Sequence, residues 1–199
     1  MENNLILFCI LSYLIGSIPF AYIITKIFGY GDIRKIGSGN IGATNVLRTG
    51  NKNLAASVLF FDMLKGFLPI TLLNLFYQNI FESHEIFIIG CFTVIGHIFS
   101  IWLKFQGGKG VASYIGFMLG ISFNLGFFFI LIWLIIFIIT RYSSLASILS
   151  LIAISIASIF IFKNINFIFL LIILNILIII KHKSNIKRLL SNSENKINL

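Results

Sequence analysis

Three stretches of this chain carry side chains able to handle an anion. The first, Gly37 to Asn51, sets four glycines among Ser38, Asn40, Thr44, Asn45, Thr49 and Asn51, with Arg48 as a fixed positive charge. Glycines at that density let backbone N–H groups turn toward one point, and the Asn and Thr side chains add neutral donors. A plain linker would carry Pro, Glu and Lys instead. The second stretch is Lys104-Phe105-Gln106-Gly107-Gly108-Lys109-Gly110. It looks locally like a phosphate loop, but Leu103 stands where the nucleotide-binding pattern needs its first glycine. A small anion clamp is the reading that remains: glycine N–H groups, a helix N-terminus beginning near Val111, and one ammonium. The third is the basic tail from Lys181 to Lys196, in which His182 and Asn185 share a helical face and Glu194 is the one acid.

These segments interrupt a chain that is otherwise apolar. Of its 199 residues, 58% are hydrophobic and 11% charged, and the mean hydropathy is +1.02. A soluble domain has about a quarter of its residues charged, so the composition excludes one. The apolar runs approach or exceed the roughly 20 residues that a bilayer crossing needs. Residues 1–199 are expected to form a single integral membrane domain, an all-α polytopic transmembrane helix bundle. Met1-Glu2-Asn3-Asn4 lacks the positive start of a secretory signal. Cys9 and Cys91 lie in apolar runs and offer neither a disulfide framework nor metal-ligand spacing, so no metal is expected. A net charge of +9 would suit nucleic acid, but no basic helix with interleaved aromatics accompanies it. In a membrane protein Lys and Arg report which loops face the cytoplasm. No nucleic-acid partner is expected.

The spans can be laid out from the polar breaks. A first runs from about Leu5 to Ile27, kinked at Gly16-Ser17-Ile18-Pro19. A second, from about Leu54 to Phe76, holds Asp62 and Lys65 on one helical face; they either neutralise each other or form a polar site. A third, from about Ile86 to Leu103, has His97 near its end. The loop 78–85 before it has two acids and no Lys or Arg, and reads as external. Arg34, Lys35, Arg48 and Lys52 place the first loop inside, as Lys104 and Lys109 do the second, and the tail is basic too. An even number of crossings must then lie between Val111 and Ile180. Four short ones, turning near Ser122–Asn124, Arg141 and Lys163–Asn166, satisfy this. The expectation is seven spans, N-terminus outside and C-terminus cytoplasmic, with five as the alternative.

On that map all three polar segments face one side of the membrane. Several cations and few acids predict phosphate ligands. Position at the bilayer surface predicts that one ligand has a lipid tail. A reaction joining a phosphorylated polar molecule to an acyl or lipid group meets both conditions.

The motifs themselves resemble a known family. Ser38-Gly39-Asn40-Ile41-Gly42-Ala43-Thr44-Asn45, then Gly96-His97 with Gly107-Gly108-Lys109-Gly110-Val111-Ala112, then His182, Asn185-Ile186, Arg188 and Glu194, resemble the bacterial acyl-phosphate-dependent glycerol-3-phosphate acyltransferases. Gly16-Ser17-Ile18-Pro19-Phe20 and Asp62-Met63-Leu64-Lys65-Gly66 match as well. The resemblance implies an enzyme of the bacterial cytoplasmic (inner) membrane with its active site on the cytoplasmic face. It would transfer a fatty acyl group from acyl phosphate to the 1-position hydroxyl of glycerol 3-phosphate, giving lysophosphatidic acid and phosphate, without a cofactor. A soluble acyl-phosphate-forming enzyme is a further partner it allows. By the same resemblance Gly107, Gly108, Lys109 and Gly110 meet the phosphate of glycerol 3-phosphate, and Ser38 and Arg48 act at the acyl-phosphate charge. Asn40, Thr44 and Asn45 hold the first loop and its ligand, while His182, Asn185 and Glu194 close the site from the tail. His97 counts among the substrate-binding residues; His97, His182 and the substrate's own phosphate are the candidate proton acceptors.

The residue types agree with that chemistry. Acyl phosphate already has a good leaving group, so the tasks are to position two anions that repel each other and to remove one proton. The dyad of the other acyltransferase class, His with Asp five positions on, is absent: Ile89, Trp102 and Lys187 follow His84, His97 and His182 at that spacing. Ser100 stands where the family pattern commonly has proline, Ser113 where threonine is usual, and Asn192-Ser193-Glu194 in place of Gly-Thr-Glu. An organic-phosphate transporter would put its polar groups at mid-membrane rather than at one surface. A purely structural membrane protein would not need three such motifs. A metal-dependent phosphatidyl transferase would need acids paired at ligand spacing, and none of the six acids is.

Overall fold

A computed structural model describes residues 2–77 and 79–197; the side chains of Glu2 and Asn3, and all of Met1, Gln78 and the last two residues, lie outside the described part. The described residues are all helix, turn and loop, without a strand. They divide into two compact units, Met1–Ile121 and Ser122–Leu199.

The first unit begins with α1 (Glu2–Ser17) and α2 (Phe20–Ile27), two helices that share one apolar span, Asn4–Ile27. Pro19 separates them as expected, because it lacks an N–H and crowds the preceding turn. In a membrane the carbonyls freed by such a break must find other donors. Here Ser100 Oγ donates to Ser17 O at 2.5 Å and Lys65 Nζ to Ile18 O at 2.8 Å. A short 3₁₀ turn, Ile33–Lys35, and α3 (Ala43–Leu47) follow in the first loop. Then come α4 (Lys52–Phe76), α5 (Ser83–Ile98), a second 3₁₀ turn at Ile101–Leu103, and α6 (Val111–Ile121). Asn51 caps α4 by accepting from Leu54 N, and Glu82 with Glu85 forms a reciprocal box at the start of α5.

Two helix pairs set the unit's packing, α1 on α5 and α4 on α6. Glycines at both crossings bring backbone against backbone. A β-carbon on Gly16 would collide with Thr93 O and one on Gly96 with Tyr13 O. On the other pair, Gly66 would meet Ser113 O and Gly116 would meet Met63 O. Close approach through small residues is how membrane helices gain contact without a hydrophobic driving force.

The second unit holds α7 (Phe123–Thr140), α8 (Ser143–Ile161), α9 (Ile165–Lys181) and α10 (Lys183–Leu190). The breaks fall at Ser122, Arg141–Tyr142 and Phe162–Asn164, overlapping the turns expected near Ser122–Asn124, Arg141 and Lys163–Asn166. Ser122 and Asn164 accept from backbone N–H groups at the starts of α7 and α9, and Arg141 ends α7 in the left-handed conformation, φ 64°. Polar side chains join the helices within the bundle: Trp133 Nε1 donates to Ser147 Oγ at 3.0 Å, and Asn175 Nδ2 to Ser155 Oγ at 2.7 Å.

Among the described residues, five spans are long and apolar enough to cross a bilayer: Asn4–Ile27, Lys52–Phe76, Ser83–Leu103, Phe123–Thr140 and Ser143–Ile161. The α9–α10 pair is bent by 61° and makes a sixth when counted as one span. Helix α6 is apolar but shorter than that standard.

Candidate active site

The first loop is built around Asn45. Its Nδ2 donates to Ile33 O at 3.1 Å and Ile36 O at 2.9 Å, while Oδ1 accepts from Ser38 N at 2.8 Å and Ser38 Oγ at 3.1 Å. Asn45 is buried, and all its hydrogen bonds serve the loop. It therefore fixes where the exposed Ser38 stands. Gly37 turns tightly beside it at φ +55°, where a β-carbon would lie 2.5 Å from Asn45 Oδ1 and 2.9 Å from Arg48 Cδ. Arg48 follows the last turn of α3 and is exposed; Asn40 and Thr44 are half-buried. Beneath them Ile33, Ile41 and Val46 pack on Ala21, Val58 and Leu103, which roots the loop in α2 and α4. At the loop's entrance Asp32 pairs with Arg34, Nη2 to Oδ2 2.7 Å, and hydrogen bonding to that guanidinium holds its carboxyl at about 2.

The second loop meets the first. Gly108 is buried between the His97 imidazole and Ile41 O, so close that a β-carbon would strike both Nε2 and the carbonyl. Gly107 lies as tightly on His97 O. Glycine is required here by shape. The expected cradle of glycine N–H groups is a different matter. Gly107 N donates to Ile98 O at 3.2 Å, Gly108 N to His97 O at 3.1 Å, and Gly39 N to Ile36 O at 3.0 Å. These amides close the end of α5 and the first-loop turn. Lys109 is half-buried, Gly110 turns at φ +92°, and α6 begins at Val111 as the sequence predicts. Trp102 and Phe105 are exposed beside Lys104, an interfacial pattern at a membrane surface.

His97 borders a small cavity together with Gly107 and Gly108. It is buried behind Gly108, with Nδ1 3.6 Å from Asp62 Oδ1. Asp62 and Lys65 form a buried ion pair at 2.7 Å. Mutual neutralisation, one of the two sequence readings, is what this contact does. The part played by His97 beside it could not be read from spacing, since the contact joins different helices.

In the second unit the tail makes a closed polar cluster. Glu194 Oε1 accepts from Asn185 Nδ2 at 2.7 Å and Ser144 Oγ at 2.8 Å, and Oε2 pairs with Arg188 Nε at 2.7 Å. Burial pushes the Glu194 carboxyl up, but the Asn185 and Ser144 donors and the Arg188 guanidinium outweigh it and hold it below its ordinary value. His182 is buried, its Nδ1 2.8 Å from Ile178 O. A carbonyl only accepts, so in the neutral ring Nδ1 carries the proton and Nε2 is the basic nitrogen. Ser144 is a member of this cluster that sequence reasoning missed: beside Arg141 and Ser143 it reads as one more polar residue of a helix start.

Similarity to known proteins covers both units. The sequence profile of the glycerol-3-phosphate acyltransferase family matches residues 6–192. The chain belongs to the glycerol-3-phosphate acyltransferase family. Among its relatives of that name, the Bartonella henselae protein is 48% identical over 191 residues, covering 94% of this chain and 89% of the relative. The Pelagibacter ubique protein is 48% identical over 185 residues, 93% of each chain. The crystal structure of PlsY (YgiH), an integral membrane glycerol 3-phosphate acyltransferase, in its glycerol 3-phosphate form matches with TM-score 0.91 and 37% identity over 98% of this chain and 96% of that one. Its lysophosphatidic acid form matches with TM-score 0.88 and 36% identity at the same coverage. Like them, the family member described here is an integral, multi-pass, all-helical membrane protein.

Proposed function

We propose that this protein acylates the 1-position hydroxyl of glycerol 3-phosphate with a fatty acyl group from acyl phosphate, giving lysophosphatidic acid and inorganic phosphate, the first step of phospholipid synthesis. The observation that carries the reading is the likeness, along nearly the whole chain, to a glycerol 3-phosphate acyltransferase solved in glycerol 3-phosphate and lysophosphatidic acid forms. The loops supply the means. Arg48 and Ser38 on the first loop and Lys109 on the second offer positive charge and a hydroxyl donor to two phosphorylated ligands. The Gly108–Ile41 contact holds those loops together.

In this reading Lys109 binds the phosphate of glycerol 3-phosphate, with Gly107, Gly108 and Gly110 giving the close approach. Ser38 and Arg48 stabilise charge on the acyl phosphate as the hydroxyl oxygen attacks its carbonyl carbon. The new ester C–O bond forms, the anhydride C–O bond breaks, and phosphate leaves with the electron pair. Asn45 holds the first loop, with Asn40 and Thr44 beside it as ligand contacts. Of the candidate proton acceptors, His97, His182 and the substrate phosphate, the last is favoured, because both imidazoles are buried, His97 at 6% and His182 at 2% exposure. Asn185 and Glu194 keep the tail in shape. No cofactor takes part.

The membrane map in this reading has seven crossings, with α6 as a short one, the N-terminus outside and the C-terminus in the cytoplasm of a bacterial inner membrane. A soluble enzyme that forms acyl phosphate would deliver the donor at the cytoplasmic face. The test is phosphate release by the purified protein from palmitoyl phosphate, with and without glycerol 3-phosphate. Release that depends on glycerol 3-phosphate is the expected result; none, with lysophosphatidic acid absent, would refute the reading.

A further inference from the structure

The proposed reaction uses neither Asp62 nor Lys65, yet a fully buried ion pair inside a membrane span is costly to keep. Its neighbours explain what it serves. On one side Lys65 Nζ donates to Ile18 O, in the break between α1 and α2. On the other, Asp62 Oδ1 faces His97 Nδ1 at 3.6 Å, and the far edge of that imidazole abuts Gly108, which in turn touches Ile41 O. A continuous line of contacts therefore runs from the kink of the first span to the meeting point of the two glycine-rich loops.

A histidine with a carboxylate at Nδ1 is also the arrangement of a general base. The second nitrogen decides the matter. Gly108 abuts Nε2, and His97 is only 6% exposed, which favours a positioning role over that of a base. Among the described residues, both Asp62 oxygens, His97 Nδ1 and Ser17 Oγ lack an aligned hydrogen-bond partner; the Lys65 ammonium touches Asp62 off the hydrogen-bond angle. Ser17, Asp62 and His97 all line a cavity of about 10 Å³, room for roughly one water.

We propose that Asp62, Lys65 and His97, with one water bridging the carboxylate, His97 Nδ1 and Ser17 Oγ, are positioning residues that set the height of the Gly107–Lys109 segment against the first loop. Through that segment they fix where Lys109 meets a phosphate. The inference rests on the reading of Lys109 as the glycerol 3-phosphate contact.

Steady-state kinetics of the purified full chain test both. Lys109→Ala examines the underlying reading, and a KM for glycerol 3-phosphate equal to the parent's would end it and the inference together. With that KM raised, His97→Leu and the charge-neutral pair Asp62→Asn/Lys65→Gln are each expected to raise the same KM about tenfold by misplacing the loop. The KM for palmitoyl phosphate should stay within about twofold, because those contacts lie on the other loop. His97→Asn, whose amide replaces Nδ1 toward Asp62, should recover most of the loss. The double variant leaves no unpaired buried charge, so it reports even if His97→Leu does not fold. An unchanged KM in a folded network variant, or a collapse of kcat that His97→Asn does not relieve, would overturn the positioning role while leaving the Lys109 reading intact.

Discussion

Ser38 and Arg48 stand a short loop apart, and their fates differ from that of Asn45 between them. Asn45 is consumed by four hydrogen bonds to the loop, whereas Ser38 Oγ needs only to rotate from Asn45 Oδ1 to meet a ligand. Ser38→Ala and Arg48→Ala should therefore each cut kcat by at least about 100-fold with the protein still folded. Near-normal turnover in either would remove that residue from the transition-state assignment. Glu194 offers a pH test of the tail. Its folded carboxyl titrates below the ordinary value, so the cluster contributes stability above the ordinary carboxylate range and loses it only as pH falls through the lower folded value. Protease protection of the tail should be flat from neutral pH down to about 5 and fall in stronger acid. Glu194→Gln should weaken the tail at neutral pH and abolish that fall; an unaltered acid profile would contradict the link. At this scale the polar motifs were legible because residue type alone marks them as out of place in apolar sequence. The Gly107 and Gly108 amides were not, since their acceptors, Ile98 O and His97 O, come from the end of another element.

Helix pairs carry the next level of constraint. Reciprocal contacts, Gly66 on Ser113 O and Gly116 on Met63 O, leave no space for side chains where α4 crosses α6. Gly66→Val is expected to separate that pair and lower the thermal midpoint in detergent well beyond the effect of Ala56→Val on the exposed face of the same helix. Equal midpoints for the two variants would mean that the crossing is not close-packed. The breaks at Pro19, Ser122 and Asn164 were readable because each uses a residue with its own backbone reason to stop or start a helix, and Arg141 because a charge interrupts apolar sequence. Which helices pair was not readable. That depends on glycines and on donors such as Ser100 and Lys65, which fill the carbonyls opened at Pro19 from distant positions.

For the whole molecule, composition alone determined the solvent: a chain 58% hydrophobic and 11% charged folds in lipid. Orientation rests on the basic loops. With Cys9 and Cys91 buried, single cysteines at Ser83, Lys104 and Ser191 can report sidedness. Ser83→Cys should react with an impermeant maleimide in intact cells, and the other two only after permeabilisation. The reverse pattern would invert the map and put the loops on the wrong side for a cytoplasmic substrate. The central claim is the identity of the two substrates, and one assay reads it directly: lysophosphatidic acid formed from labelled glycerol 3-phosphate by the purified protein, with palmitoyl phosphate, palmitoyl-CoA and palmitoyl-acyl carrier protein offered in parallel. Product from palmitoyl phosphate alone is the predicted result. Product from either thioester, with palmitoyl phosphate inert, would contradict the proposed donor.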